Sequence, residues 1–221
     1  MKDLKYSEIV KYNRDLSDKV EKITPYKISI LANFTCNQLE PILSYQLRGL
    51  GINPIIKVGN YDNIVQDSYH CLDDNLVLIK YDLVGVLSKY SVFFEDFNQH
   101  EIDKLYDSIT SDIDLILDNL GHVPGVVFNA FSGLGTYANS VIPSKASILA
   151  SKLNQYLYSK EEKNLNILDV NVVVGKVGLF ASYDSRMFFL SKTLYAIPFW
   201  KEYVCDLSVI IAKNVGSLKK A

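Results

Sequence analysis

From Lys27 onward the sequence alternates short apolar runs with longer stretches of helical periodicity, and this alternation constrains the fold most strongly. The runs 27–33 (KISILAN), 53–60 (NPIIKVGN), 75–82 (NLVLIKYD), 125–131 (GVVFNAF) and 164–171 (NLNILDVN) each have the length of a strand. Helical segments are expected over 39–50, 101–120 and 144–158, and another over 201–215 closes the pattern. In the first of these, Leu39, Ile42, Leu43, Leu47 and Leu50 share one face, and Gly49 and Gly51 mark its end. Nearly continuous apolar strands joined by helices require a parallel sheet covered on both faces. The expected fold is therefore a three-layer, flavodoxin-like α/β domain. Its central parallel sheet has about five strands in the order 2-1-3-4-5.

Residues 1–24 precede this pattern and read as an amphipathic helix. Leu4, Ile9, Tyr12, Leu16, Val20 and Ile23 recur at helical spacing, and Pro25 closes the segment. Both signs of charge line its polar face, which favours packing on the domain over binding a membrane surface. No Gly/Ser/Pro linker divides residues 25–221, which are assigned to one domain. With 23 basic and 25 acidic residues the chain lacks the cationic excess that holds a phosphate backbone, so nucleic acid is not expected as a partner. Cys36, Cys71 and Cys205 lie far apart with no CxxC pair or Cys/His cluster, so neither a metal nor another cofactor is expected. Isolated thiols, no signal-peptide pattern and apolar stretches no longer than runs such as 207–212 suggest a cytoplasmic protein with no membrane contact.

In such a sheet, ligands bind beyond the carboxyl ends of the strands. Those ends carry Asn33, Phe34 and Thr35, then Gly59, Asn60 and Tyr61, then Asp82, Asn129, Asp169 and Asn171. Each alone is an ordinary turn former or helix cap; their joint occurrence points to a cleft. Thr35 is expected to cap the following helix. Gly59 allows close backbone approach or a positive φ, and Asn129 can donate its amide into the cleft.

The trio of Thr35, Gly59 and Asn129 resembles the first three blocks of the SGNH (GDSL-type) hydrolases, which implies an SGNH-hydrolase-like fold. In that family a serine follows the first strand, while a glycine and an asparagine complete an oxyanion hole. A late DxxH supplies the base. This chain departs from the pattern in two places. LANFT stands where the family has GDS, and the last histidine is His122, ahead of the fifth strand. The DxxH at Asp67–His70 falls between the second and third strands and reads as a turn, and His100 and His122 merely flank the long helix. A threonine without a general base is a weak nucleophile, so hydrolysis by the usual route is disfavoured.

A narrower resemblance covers Lys27 to the end of the chain. The stretch KISILANFTCNQLEPILSYQLRGLGINPIIKVGNYDN is similar to the opening of the N-terminal domain of long FkbH-like proteins. YDSRMFFLSK matches their D-x-R-x-W/F-x-x-x-K segment at Asp184, Arg186, Phe188 and Lys192. In those proteins the SGNH-like domain precedes a haloacid-dehalogenase-type (HAD) phosphatase domain, and the whole moves a glyceryl unit onto a carrier protein in polyketide or glycan pathways. The resemblance thus implies a HAD-type domain downstream of the closing NVGSLKKA, with an acyl carrier protein and a small phosphorylated or acyl ligand as partners. The DxD at Asp112–Asp114 has helical flanks and reads as a helix face, not as the HAD nucleophile.

The candidate cleft residues are Asn33, Thr35, Gly59, Asn129, Asp184 and Arg186. The Arg186 guanidinium suits phosphate or carboxylate, or pairs with Asp184. Cys36, if exposed at a helix start, would have a lowered thiol pKa and could carry an acyl thioester. The expected function is that of a non-hydrolytic accessory domain. The alternatives are a divergent esterase or acyltransferase using Thr35 or Cys36, and a scaffold whose cleft is plugged by Phe34 and Phe131.

Overall fold

The computed structural model describes residues 1, 3–90, 94–135 and 143–218. The closing Lys219–Lys220 pair lies outside them. Five strands, β1 (Pro25–Ala32), β2 (Asn53–Val58), β3 (Leu76–Lys80), β4 (Val126–Asn129) and β5 (Leu165–Leu168), form one parallel sheet in the order β2-β1-β3-β4-β5. Fold class and strand order are those the alternation of apolar runs specifies.

The long helices are α1 (Tyr6–Val20), α2 (Leu39–Gly49), α5 (Gln99–Asn119), α6 (Lys145–Tyr158) and α10 (Ile197–Leu218). Between them lie the short helices α3 (Ile64–Ser68), α4 (Leu83–Leu87), α7 (Val170–Val177), α8 (Leu179–Ser182) and α9 (Ser185–Ser191). No helix among the described residues is long and apolar enough to cross a membrane.

Pleating sends alternate side chains of the three inner strands, β1, β3 and β4, into two separate cores. Ile28, Ile30, Leu76, Leu78 and Val127 face a layer built from α2, α7 and α10, whose core includes Cys36, Trp200 and Tyr203. Leu31, Val77, Ile79 and Phe128 face α5 and α6 in a second core that includes Cys71. Helix α1 packs outside α2, with Ile9 fully buried in the first core. The Arg48 guanidinium of α2 donates to the Asn13 carbonyl at 2.9 Å and to its Oδ1 at 2.7 Å, clasping the two helices.

Capping fixes where the site-bearing helices begin. The Asn98 Oδ1 accepts from the Glu101 N–H at 3.1 Å while Glu101 accepts from the Asn98 N–H at 2.8 Å, a reciprocal box that starts α5. The Ser144 hydroxyl accepts from the Ser147 N–H at 3.1 Å and starts α6. Two strand ends differ from the sequence expectation for the same reason. Asp82 and Asp169 are helix caps rather than strand residues, and they hand the chain directly to α4 and α7. Asn171 accordingly sits in the first turn of α7, not at the tip of β5.

Candidate functional site

The carboxyl ends of β1, β3 and β4 converge on the α10 side of the sheet. The crevice between β1 and β3, where strand order reverses, is closed by the protein itself. The Asn33 Nδ2 donates to the Asp82 carbonyl at 2.8 Å, and the Asp82 N–H returns a bond to Asn33 Oδ1 at 2.9 Å. Both residues are buried. One Asp82 carboxylate oxygen accepts from the Val84 N–H at 2.8 Å and so caps α4; the other accepts from the Tyr195 hydroxyl at 2.9 Å. Burial outweighs these two bonds and pushes the Asp82 carboxyl up to about 6. Gly85 allows the close approach: a Cβ there would lie 2.5 Å from Asn33 Nδ2 and 2.7 Å from the Asn33 carbonyl.

One strand position deeper lies Lys80, fully buried, without a carboxylate partner among the described residues. Its ammonium donates to Asn129 Oδ1 at 3.0 Å and sits 3.8 Å from the centre of the Tyr203 ring. Desolvation drives the Lys80 pKa well below that of an ordinary lysine. The Tyr203 hydroxyl donates to the same Asn129 oxygen at 2.7 Å. Two donors on Oδ1 fix the orientation of the Asn129 amide.

The other candidates divide. Thr35 is half-buried, and its N–H donates to the Lys192 carbonyl at 2.8 Å in a parallel bridge with Thr193. Lys192 ends α9 in the left-handed conformation, φ 58°, which turns the chain toward that bridge. The expected cap by Thr35 is not formed: α2 starts at Leu39, and its N-cap position is Gln38. Cys36 is buried, and desolvation pushes its thiol up to about 11 against the lowering effect of Lys80. The condition for an activated thiolate is therefore not met.

Gly59 does approach its neighbours closely, but at the β2 edge. A Cβ there would lie 2.6 Å from Asp67 Oδ2, which accepts from the Asn60 N–H. Its φ is not positive. Asp67 thus pins the β2 exit turn from within α3. The DxxH is not the turn expected of it, since Asp67 and the buried Ser68 are helical and only Tyr69 and His70 follow the helix. Asp184 caps α9 and pairs with Arg186 at 3.2 Å, and the pairing and hydrogen bonds between them hold the Asp184 carboxyl below the usual range. Arg186 is exposed at the surface and does not enter the crevice.

Phe34 and Phe131 do not plug the crevice. Phe34 stacks on Trp200 in the first core, and Phe131 packs against Phe128 and Tyr81 in the second. None of the three histidines joins the cluster: His122 contacts the Cys71 carbonyl near the amino end of β4, His70 follows α3, and His100 is exposed in the first turn of α5. In the DxD pair, Asp112 accepts from Tyr81 and Asp114 from Tyr156 and Lys160, so both serve as anchors of α5. Among the described residues no three His, Cys, Asp or Glu side chains gather into a set that could hold a metal.

Sequence reasoning missed Lys80, Tyr195 and Tyr203. The signal for Lys80 was present: it is the one charge in the otherwise apolar run LVLIK. The tyrosines reach the cluster from 113 and 74 positions away along the chain, a distance no local pattern spans.

The five-stranded parallel sheet with helices on both faces defines a flavodoxin-like α/β protein. In its structure the chain is similar to the N-terminal part of the protein BF1531 from Bacteroides fragilis, described as containing a phosphatase domain complexed with Mg. The TM-score is 0.76 at 17% identity, over 95% of this chain and 56% of that one. At that identity the likeness is one of fold, and the chain spans about half the length of that neighbour. No family model matches the sequence, and no curated protein matches it.

Proposed function

We propose that this chain is a non-hydrolytic SGNH-like domain of an FkbH-like protein. In this reading it assists acyl or glyceryl transfer to a carrier protein by binding the substrate, the carrier or a following HAD-type domain. The observation that carries the reading is the state of the crevice. Where a hydrolase holds an activated nucleophile and a base, Asn33 and Asp82 bond each other, and Cys36 is buried with a raised pKa. The fold shared with the amino-terminal part of a phosphatase-domain protein supports the domain context.

Binding in place of catalysis also agrees with the surface. Phe180 (96% exposed), Leu190 (82%) and Phe189 (73%) lie on α8 and α9, and apolar side chains so open to water mark contact sites. The test is to incubate the purified chain with p-nitrophenyl acetate and with an acyl thioester. No turnover above buffer is expected. Turnover that is abolished in Thr35→Ala or Cys36→Ser would replace this reading with that of a divergent esterase or acyltransferase.

A further inference from the structure

A second concavity lies apart from the β1–β3 crevice, at the carboxyl ends of β4 and β5. It measures about 520 Å³ and lies between the Phe131–Leu134 turn, the exposed flank of α6 and Asn171. Its walls are fastened by the protein's own polar groups. Asn154 of α6 spends both ends of its amide on the Phe131 backbone: Oδ1 accepts from the N–H at 2.7 Å and Nδ2 donates to the carbonyl at 2.9 Å. Ser132 accepts from the Leu134 N–H at 3.1 Å and therefore donates its own proton to Asn171 Oδ1, at 2.6 Å. That bond sets the Asn171 amide and leaves its Nδ2 without an acceptor among the described residues. Gly133 seats the turn on α6, since a Cβ would lie 2.6–2.9 Å from Ser147.

Among the described residues the lining contains no Asp, Glu, Lys, Arg or His. A phosphate or carboxylate would find no cation among these residues and would meet the field of Asp169, which caps α7 at Asn171 and acts on Tyr158, so burying an anion there would go uncompensated. What the walls offer is a set of neutral donors and acceptors, Asn171, Gln155 and Ser151, beside the half-exposed ring of Tyr158. Amides and hydroxyls next to an aromatic face match a ring with hydroxyls at its rim and C–H groups on its faces. We propose that this pocket binds a neutral sugar.

The test titrates the 15N-labelled chain with methyl glycosides of glucose, galactose and N-acetylglucosamine, and separately with inorganic phosphate, following amide shifts. At least one glycoside is expected to give saturable shifts at residues 131–134, 147–158 and 171, with millimolar affinity, while phosphate gives none there. Ser151→Trp fills the pocket from an exposed position and should weaken that affinity about tenfold or more with the spectrum otherwise intact. Absence of saturable shifts with all three glycosides would overturn the proposal. So would a phosphate response at these amides, or sugar shifts that survive in the filled variant.

Discussion

Lys80 and Asp82 stand two residues apart on one face of the sheet, each taken out of water and neither paired with the other's charge. A buried ammonium with one hydrogen-bond acceptor and an aromatic face recovers only part of its hydration. Lys80→Met keeps most of the side-chain length and leaves Asn129 Oδ1 bonded to the Tyr203 hydroxyl. The variant should gain about 1 kcal/mol or more in urea denaturation. A loss of about 2 kcal/mol would instead assign the ammonium a structural role.

Asp82 has the opposite charge and an opposite pH signature. Its folded pKa, about 6, lies above the unfolded value of 3.8, so between these the folded chain keeps a proton the unfolded chain has released. Stability from this group is thus highest below pH 4 and falls as pH rises toward 6, by about 3 kcal/mol in all. Asp82→Asn keeps a capping oxygen for Val84 and removes the titration. Plotted as the difference from the parent, its stability should rise between pH 4 and 6. A flat difference would mean that the carboxyl is ionised throughout. Lys80 acts with the opposite sign: stability increases with pH from its lowered folded pKa up to 10.5.

At the scale of elements, the apolar runs placed all five strands. β3 and β4 are buried throughout and have little room for anything but apolar side chains, while the edge strands β2 and β5 are apolar runs with far less burial. The short helices were not legible. LVGVL, which forms α4, is five residues long and uniformly apolar, too short to show a helical period. VNVVVGKV, which forms α7, is rich in β-branched residues and locally favours a strand; the Asp169 cap and packing against α10 decide otherwise. Of the candidate site, the strand-end positions were readable from periodicity. Their bonding was not, since Asn33 and Asp82 meet across 49 positions, as do Lys80 and Asn129.

Gly85 in α4 sets two effects against each other. Alanine would raise helix propensity by up to about 1 kcal/mol. Its Cβ would also fall 2.7 Å from the backbone oxygen of Asn33, an atom with no rotamer to escape into. The collision should win, and Gly85→Ala should lower stability by about 1–3 kcal/mol in thermal denaturation. A stabilised variant would show that the junction of α4 and β1 can yield.

The whole molecule is a sheet with a separate core on each face, and the likeness to BF1531 at 17% identity shows that such an arrangement persists where few side chains agree. The two faces need not loosen together. Cys36 belongs to one core and Cys71 to the other, each with its thiol pushed up to about 11 by burial, whereas Cys205 is partly exposed. Iodoacetamide should therefore modify Cys205 first, with the two buried thiols following only as their layers open. A change that weakens the α10 side alone should hasten Cys36 and leave Cys71 at its parent rate, as mass spectrometry of the alkylated peptides would record. The sheet thus carries a pair of internal stopwatches, one per face, and their readings would tell whether this domain breathes as a unit or one side at a time.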